Sequence, residues 1–108
     1  MENIEEVKYK CPIEYTQKVV GGKWKSIILW HLYTEGTKRY GELKRYLTKI
    51  SHKMLSQQLK ELEADKLVYR KEYQQIPPKV EYSITDRGKT LIPILKLMHN
   101  WGEDNMDS

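Results

Sequence analysis

Four polar side chains, none of them acidic, recur at helical spacing within residues 50–64, which read ISHKMLSQQLKELEA. On an α-helix with about 100° per residue they fall within roughly 100° of one another. They are Lys53, Ser56, Gln57 and Lys60. Lysine ammonium groups attract anions, and a glutamine amide both donates and accepts hydrogen bonds. This helix face is therefore suited to an anionic partner that presents hydrogen-bonding groups of its own.

The other side of the same helix is apolar and is formed by Met54, Leu55, Leu59 and Leu62. These side chains span an arc of roughly 140°, which is wide enough to pack against a core. Ser51 is a residue type that caps a helix by accepting a hydrogen bond from a backbone N–H of the first turn. The pattern predicts an amphipathic helix that begins near His52. Such a helix suits the major groove of DNA, although an ordinary solvated face gives the same pattern.

Positive charge is concentrated around this helix. The 108-residue chain has a net charge of +4, yet residues 38–60 hold seven Lys or Arg and a single acidic residue, Glu42. Acidic residues gather instead near the two ends of the chain. A local positive field attracts polyanions, which makes nucleic acid the leading partner. The fit of the amphipathic helix to the major groove favours double-stranded DNA. The length is that of one domain.

The single cysteine stands before another predicted helix. Cys11 precedes Pro12, which is favoured at the first helical position, and the glycine pair at 21–22 ends the helix. Unpaired N–H groups at that end, with Lys8 and Lys10 nearby, favour a thiolate. Two interpretations of Cys11 stay open: it is a reactive thiol, or it only packs or caps the helix. One cysteine cannot form an intramolecular disulfide, which fits a reducing compartment.

Apolar spacing predicts two further helices before the amphipathic one. Residues 23–35 are apolar on more than one side and end at Gly36, a residue type that follows helix C-termini. After a basic connector at 37–39, residues 40–47 predict a short helix. The short helix and the amphipathic helix are then joined by a tight turn, which is the arrangement of a helix-turn-helix.

Two strands and a last helix complete the predicted fold. Residues 67–73 and 79–84 are rich in β-branched and aromatic residues and predict a hairpin with a projecting tip, the wing of a winged helix. The last helix starts from Thr85, and Pro93 is expected to kink it or divide it. The fold class is mainly α with a small β-hairpin (α+β). Residues 1–10 are predicted to form a flexible arm, and residues 11–108 one DNA-binding and dimerisation domain.

The first and last helices carry more apolar surface than a core of this size can cover, which predicts a homodimer. The residues expected at this dimer interface are Ile13, Leu91, Ile94, Leu95, Met98 and Trp101. Two recognition helices about 34 Å apart would read two half-sites of a palindromic operator, one helical turn apart.

Six motifs together resemble the HxlR-type family of bacterial winged-helix transcription regulators, and they span residues 11–102. The motifs are CPIE (11–14), GGKWK (21–25), RYGEL (39–43), ISHKMLSQQLKELE (50–63), PPKVEYSIT (77–85) and WG (101–102). The resemblance implies a homodimeric DNA-binding protein whose terminal helices form the dimer and which represses or activates nearby genes. Several members sense electrophiles or disulfide stress through the cysteine that matches Cys11. The family usually has glycine where this chain has Lys66.

Roles in DNA binding follow from residue type. Gln57 is the best candidate for reading a base, because its amide can pair with adenine through two hydrogen bonds. Basic residues before the amphipathic helix are expected to hold phosphates, and basic residues of the wing are expected to act from the hairpin. The full set of candidates is Lys38, Arg39, Lys49, Ser51, His52, Lys53, Ser56, Gln57, Lys60, Arg70 and Lys79.

The predicted function is that of a homodimeric, sequence-specific regulator, acting as a repressor, with Cys11 as a sensor of thiol-reactive compounds. A regulator responding to a non-redox signal and a winged-helix protein-interaction adaptor are the alternatives, and the basic helix face disfavours the adaptor. An enzyme is not expected, since only His99 and Glu103 have a spacing that suits a metal and an exposed polar pair explains them. No cofactor, metal or membrane partner is predicted. The first residues lack the features of a signal peptide, so a cytoplasmic location is expected.

Overall fold

The computed structural model describes residues 9–107, so residues 1–8 of the predicted arm lie outside the described part. The helices are α1 (Pro12–Val20), α2 (Lys25–Glu35), α3 (Tyr40–Tyr46), α4 (His52–Ala64), α5 (Asp86–Lys89) and α6 (Ile92–Asn105). The strands are β1 (Lys38–Arg39), β2 (Val68–Tyr73) and β3 (Lys79–Ile84). The predicted winged helix-turn-helix is confirmed, with α3 and α4 as its helices and β2–β3 as its wing.

The sheet has three antiparallel strands in the order β1-β3-β2. In the hairpin Val68 lies opposite Ile84, and in the outer pair Lys38 lies opposite Tyr82. The interpretation of residues 37–39 as a plain connector was wrong, because β1 pairs with β3 there. A strand of two residues is too short to show alternation in sequence, and it forms here because the edge of β3 offers unpaired backbone groups.

The core lies between α2, α4 and the sheet. Ile28 and Leu29 of α2 are fully buried, as are Leu55 and Leu62 of α4. The helix predicted for 23–35 begins two residues later than expected, and its Ile27 stays 40 % exposed. Burial of each large apolar side chain contributes about 1.5–3 kcal/mol, so these two helices hold the domain together and fix how α4 is presented.

The turn between α4 and β2 requires a left-handed residue, and this chain places Lys66 there with φ of 61°. Glycine adopts this conformation without the clash that a Cβ introduces, which accounts for the glycine that related sequences are expected to have. The Thr85 hydroxyl donates to the carbonyl of Lys66 at 2.6 Å and accepts from the Gly88 N–H at 2.9 Å. One side chain therefore caps α5 and ties it to the turn.

The C-terminal helix is divided rather than kinked. α5 ends at Lys89, and Pro93 lies in the first turn of α6, where its missing N–H removes no intrahelical hydrogen bond. The division places α6 on its own axis, in contact with α2.

His31 of α2 is buried, and its ring stacks on Tyr46 with ring centroids 3.6 Å apart. Burial, aided by the positive charge of Lys38, lowers the pKa of His31 below its ordinary value of 6.5. Below pH 6.5 the imidazole of His31 is protonated in the unfolded chain, whereas in the folded chain it binds this proton only at a lower pH. The free energy of unfolding therefore falls as the pH is lowered through this window. We expect His31→Leu to flatten this part of the profile in urea titrations from pH 5 to 8. An unchanged slope in the variant would contradict it.

Candidate DNA-binding surface

Helix α4 is fixed at its start by its cap and along its length by its leucines. The Ser51 hydroxyl accepts a hydrogen bond from the Met54 N–H at 3.0 Å, as its type predicted, so the helix begins at His52. Leu55, Leu59 and Leu62 are buried, whereas Met54, at the edge of the apolar arc, is 37 % exposed. The opposite side of α4 is thereby turned outward.

The outward side carries the predicted polar residues. Lys53, Gln57 and Lys60 are exposed, and neither lysine has a hydrogen-bond or ion-pair partner among residues 9–107. Ser56 is half-buried, and its hydroxyl lies 3.4 Å from the Tyr40 hydroxyl. Two ammonium groups and an amide on one exposed helix face can bind phosphates and the edges of bases.

A chain of polar contacts runs from this face into the protein. Gln57 Nε2 donates to Glu61 Oε2 at 3.1 Å, and Glu61 Oε1 lies 2.7 Å from Lys25 Nζ. Hydrogen bonds from Lys25, and then from Gln57, lower the pKa of Glu61. Sequence reasoning missed both Lys25 and Glu61. The i, i+4 spacing of Gln57 and Glu61 was a visible signal, but the burial of a lysine from another helix was not.

Tyr40 of α3 joins the two helices of the helix-turn-helix. Its hydroxyl donates to the backbone carbonyl of His52 at 3.1 Å and lies 3.1 Å from His52 Nδ1. The two rings also stack, with centroids 5.8 Å apart. The side chain of His52 is thus held at the α3–α4 junction, where it supports the start of α4.

The basic residues before α4 lie at the start of α3 and in the turn. Arg39 and Lys49 are exposed, and Lys38 is half-buried in β1. The Arg39 N–H donates to Glu42 Oε1 at 2.8 Å, and this hydrogen bond lowers the pKa of Glu42. The Glu42 carboxylate therefore binds the N-terminal end of α3, and the cationic groups of Arg39 and Lys49 stay exposed.

Charged side chains of the wing pair with one another. Tyr73 OH donates to Glu81 Oε1 at 2.9 Å, which lowers the pKa of Glu81. Lys79 Nζ lies 3.5 Å from Glu81 Oε2 and 4.6 Å from the centre of the Tyr73 ring. Of the two wing residues expected to contact DNA, Lys79 is thus engaged within the hairpin.

Arg70, the other expected wing residue, lies near α4. A hydrogen bond with Tyr82, and then one with Glu72, raises the pKa of Arg70, and its Nη1 lies 3.3 Å from Glu72 Oε1. Arg70 and Lys60 line the same groove of about 380 Å³ between α4 and the sheet. The structure therefore brings these two predicted residues together.

The terminal helices form an apolar face. Ile13 of α1 and Ile94 and Met98 of α6 are exposed and line a groove of about 490 Å³. Trp101 and Leu97 are also exposed, by 69 % and 70 %, and Leu97 was not among the residues predicted at the dimer interface. Two residues of the predicted interface have little exposed surface in the single chain. Leu95 is buried in the chain's own core with 4 % exposure, and Leu91 packs partly against that core, so neither has much surface to offer a second subunit.

Cys11 occupies the N-cap position of α1, as predicted, and is exposed. Its thiol makes no hydrogen bond to the helix N-terminus. It is followed directly by Pro12 and Ile13, which both line the groove between α1 and α6.

His99 and Glu103, the pair whose spacing suits a metal, both lie on α6. His99 stacks on Trp30, with ring centroids 5.1 Å apart. Within residues 9–107 the structure shows no cluster of three or more potential metal ligands, and in that same part no helix has the length and apolar character that crossing a membrane requires.

Comparison with known proteins agrees with this geometry. Residues 19–108 match the family model described as HxlR-like helix-turn-helix. The chain is 68 % identical over 98 residues to a Fusobacterium mortiferum protein provisionally named as the regulatory protein MalR, covering 91 % of this chain and 92 % of that protein. It is 50 % identical over 106 residues to YybR of Bacillus subtilis (strain 168), an uncharacterized HTH-type transcriptional regulator, with coverages of 98 % and 84 %.

A solved structure supports the same assignment. The redox regulator HypR in its oxidized form is 51 % identical, with a TM-score of 0.86, over 91 % of this chain and all of that one. The extra terminal helices, the exposed cationic face of α4 and the wing are thus found in a chain whose sequence matches the family over most of its length. The protein belongs to the HxlR-like helix-turn-helix family and is a DNA-binding transcriptional regulator, not an enzyme.

Proposed function

We propose that the protein is a homodimeric repressor that binds a palindromic operator with one α4 in each of two successive major grooves. The observation that carries this proposal is the exposed face of α4, where Lys53, Gln57 and Lys60 point away from a side that is buried in the core. A helix held in this way can enter the groove without losing its packing.

The contacts divide by chemistry. Lys53 and Lys60 are the candidates for phosphate contacts from α4, because an ammonium group acts as a compact point charge. Arg39 and Lys49 approach the backbone from the start of α3 and from the turn, and Arg70 does so from the wing. Gln57 reads a base. Ser51, His52 and Ser56 act by fixing α4, since their side chains are engaged within the protein, and Lys38 and Lys79 contribute charge from half-buried positions.

The dimer is supported by the apolar face of α1 and α6. Ile13, Ile94, Met98 and Trp101 leave much of their area exposed in the single chain. Apolar faces of this kind on a small domain mark a protein interface, and an isologous pairing of the same face on two chains gives the twofold symmetry that a palindrome requires.

DNA binding is tested by fluorescence anisotropy with duplex DNA from upstream of the protein's own gene. We expect Lys53→Gln and Lys60→Gln each to weaken binding to all sequences and to reduce the slope of log K against log salt by about 2 per dimer, since each removes two phosphate contacts. Lys89→Gln, at an exposed lysine of α5, is the matched control and should leave the slope unchanged. Equal slopes in all variants would contradict the proposal.

The direction of regulation is tested in cells. A dimer seated on promoter DNA excludes polymerase from the same site, so a reporter fused to that promoter should rise in a strain carrying Lys53→Gln. A fall in reporter expression would identify an activator instead.

We also propose that Cys11 is the signal-receiving residue. Its thiol is exposed and stands immediately before two residues that line the α1–α6 groove. The Cys11 thiol loses its proton and the sulfur adds to a ring carbon of a quinone, so that an S–C bond forms beside that groove. The C=C π bond breaks, and its electron pair moves to the quinone oxygen, which takes up a proton. The added bulk displaces α1 from α6 and changes the spacing of the two α4 helices. The description of HypR as a redox regulator is consistent with this role.

The thiol is tested with benzoquinone as the electrophile. We expect it to lower operator affinity of the wild type by tenfold or more, about 1.4 kcal/mol, and to leave Cys11→Ser unaffected, as measured by anisotropy, with mass spectrometry to show one adduct per chain. An equal response in both proteins would remove the thiol from the mechanism and favour a non-redox signal.

A further inference from the structure

We infer that Glu61, held in place by the buried Lys25, fixes the orientation of the Gln57 amide and thereby sets which base Gln57 prefers. The inference rests on the proposed function, in which Gln57 meets a base edge. Neither Glu61 nor Lys25 need touch DNA for this purpose, so both are positioning residues.

The geometry is a three-residue chain. Glu61 lies one helical turn after Gln57 on the same face of α4, and each of its two carboxylate oxygens has a different partner. Oε2 accepts from Gln57 Nε2 at 3.1 Å, and Oε1 lies 2.7 Å from Lys25 Nζ. The carboxylate is thus placed between the amide on the DNA-facing side and the ammonium on the core side.

The chemistry of the carboxylate determines the polarity of the amide. An ionised carboxylate only accepts hydrogen bonds, so Gln57 must turn its NH₂ group, and not its carbonyl, toward Glu61. Hydrogen bonds from Lys25 and Gln57 lower the pKa of Glu61, which favours the ionised carboxylate. Gln57 then has its Oε1 acceptor and its second N–H donor left for the partner. Adenine offers a donor at N6 and an acceptor at N7, which matches this pair, whereas guanine offers two acceptors.

Lys25 keeps Glu61 from turning away. Its residue surface is only 7 % exposed, and a buried ammonium group without a counter-charge is strongly unfavourable. Within residues 9–107 its one ion-pair partner is Glu61. Because α2 packs against α4, the body of the domain holds the carboxylate at a fixed place relative to the recognition helix.

The decisive variant is Glu61→Gln, which preserves size and can still accept from Lys25 through its carbonyl. The NH₂ group of the introduced glutamine would then face Gln57 and donate a hydrogen bond to the Gln57 carbonyl. The Gln57 amide is reversed and presents two N–H donors to the base, which suits guanine O6 and N7. Glu63→Gln is the matched control, since Glu63 is an exposed carboxylate of the same helix whose side chain has no partner among residues 9–107.

The experiment is selection of bound sequences from a random duplex DNA pool, followed by sequencing, for wild type, Glu61→Gln, Glu63→Gln and Gln57→Ala. At the one position per half-site that Gln57→Ala relaxes, we expect Glu61→Gln to lower the adenine-to-guanine ratio by about tenfold. The other positions, and all positions in Glu63→Gln, should keep the wild-type preference. Circular dichroism confirms that each variant is folded at the selection temperature.

The outcomes distinguish a failure of the positioning role from a failure of the proposed function. If Gln57→Ala relaxes a position and Glu61→Gln leaves the ratio there unchanged, the positioning role is overturned while the proposed function stands. If the wild type selects no sequence, the proposed function itself fails. Lys25→Met gives a second test in a chain that no longer holds a buried cation. Glu61 is then released, and the adenine preference should fall at the same position, whereas a retained preference would overturn the role of Lys25.

Discussion

Trp101→Glu is expected to convert the dimer into a folded monomer and to weaken operator binding by about 100-fold or more. Trp101 is 69 % exposed in the single chain, so a charged side chain there disturbs little within the subunit, but in the proposed interface it buries a carboxylate against Ile94, Met98 and their symmetry mates. A monomer contacts one half-site and loses the gain from linked binding, which is typically 10²–10⁴-fold. Light scattering measures the mass, and anisotropy measures the affinity.

Trp101→Phe is the matched variant, because it keeps an apolar ring and should remain dimeric with nearly the wild-type affinity. Its thermal midpoint also provides the reference for the glutamate variant. A Trp101→Glu protein that elutes and scatters as the wild type does would place the interface elsewhere on the molecule.

Gly88→Ala is expected to lower the free energy of unfolding by roughly 3 kcal/mol, which is large for one methyl group. Gly88 is buried in α5, and a Cβ built there collides with the backbone carbonyl of Leu67 and lies 2.7 Å from Ile84 Cγ1. The backbone of Leu67 belongs to the turn that Thr85 ties to α5, so it has little freedom to move. For a domain of this size the thermal midpoint should fall by about 12–24 °C.

Gly41→Ala is the control for this second variant. A Cβ at Gly41 in α3 meets only the Arg45 side chain at 3.6 Å, which is ordinary contact, and alanine favours the helix by about 0.5–1 kcal/mol. Urea unfolding should therefore show opposite signs for the two glycines. Equal effects would mean that the contact of α5 with Leu67 and Ile84 is looser than it stands in the structure.

The parts of the fold that depend on local contacts were accessible from the sequence. The start of α4 follows from the hydroxyl of Ser51, and its buried side follows from leucines one helical turn apart, so both could be predicted from a few neighbouring residues. The division of the last helix, which lies just before Pro93, was one of two predicted outcomes. The choice depends on how α5 packs against Leu67, which is a contact between residues far apart in the chain.

The parts that depend on distant contacts were not accessible. β1 exists because β3 offers it an edge, and Lys25 is buried because Glu61, far along the chain, reaches it. The sequence of an apolar helix such as α6 indicates that the helix is covered by other protein surface. It does not indicate which side faces the chain's own core, and this is why Leu95 was grouped with the interface residues. The face of α4 that carries the DNA-binding candidates could be predicted from the sequence. The contacts of Lys79 with Glu81 and Tyr73 within the wing could not.

The ion pair between α2 and α4 has a consequence for protein engineering. Transplanting α4 into a related regulator would carry Gln57 and Glu61 together but would leave Lys25 behind on the donor's α2. Without a lysine at the equivalent place the graft acquires an uncompensated carboxylate at the helix junction. A chimera that swaps specificity cleanly must therefore exchange one residue from outside the reading helix.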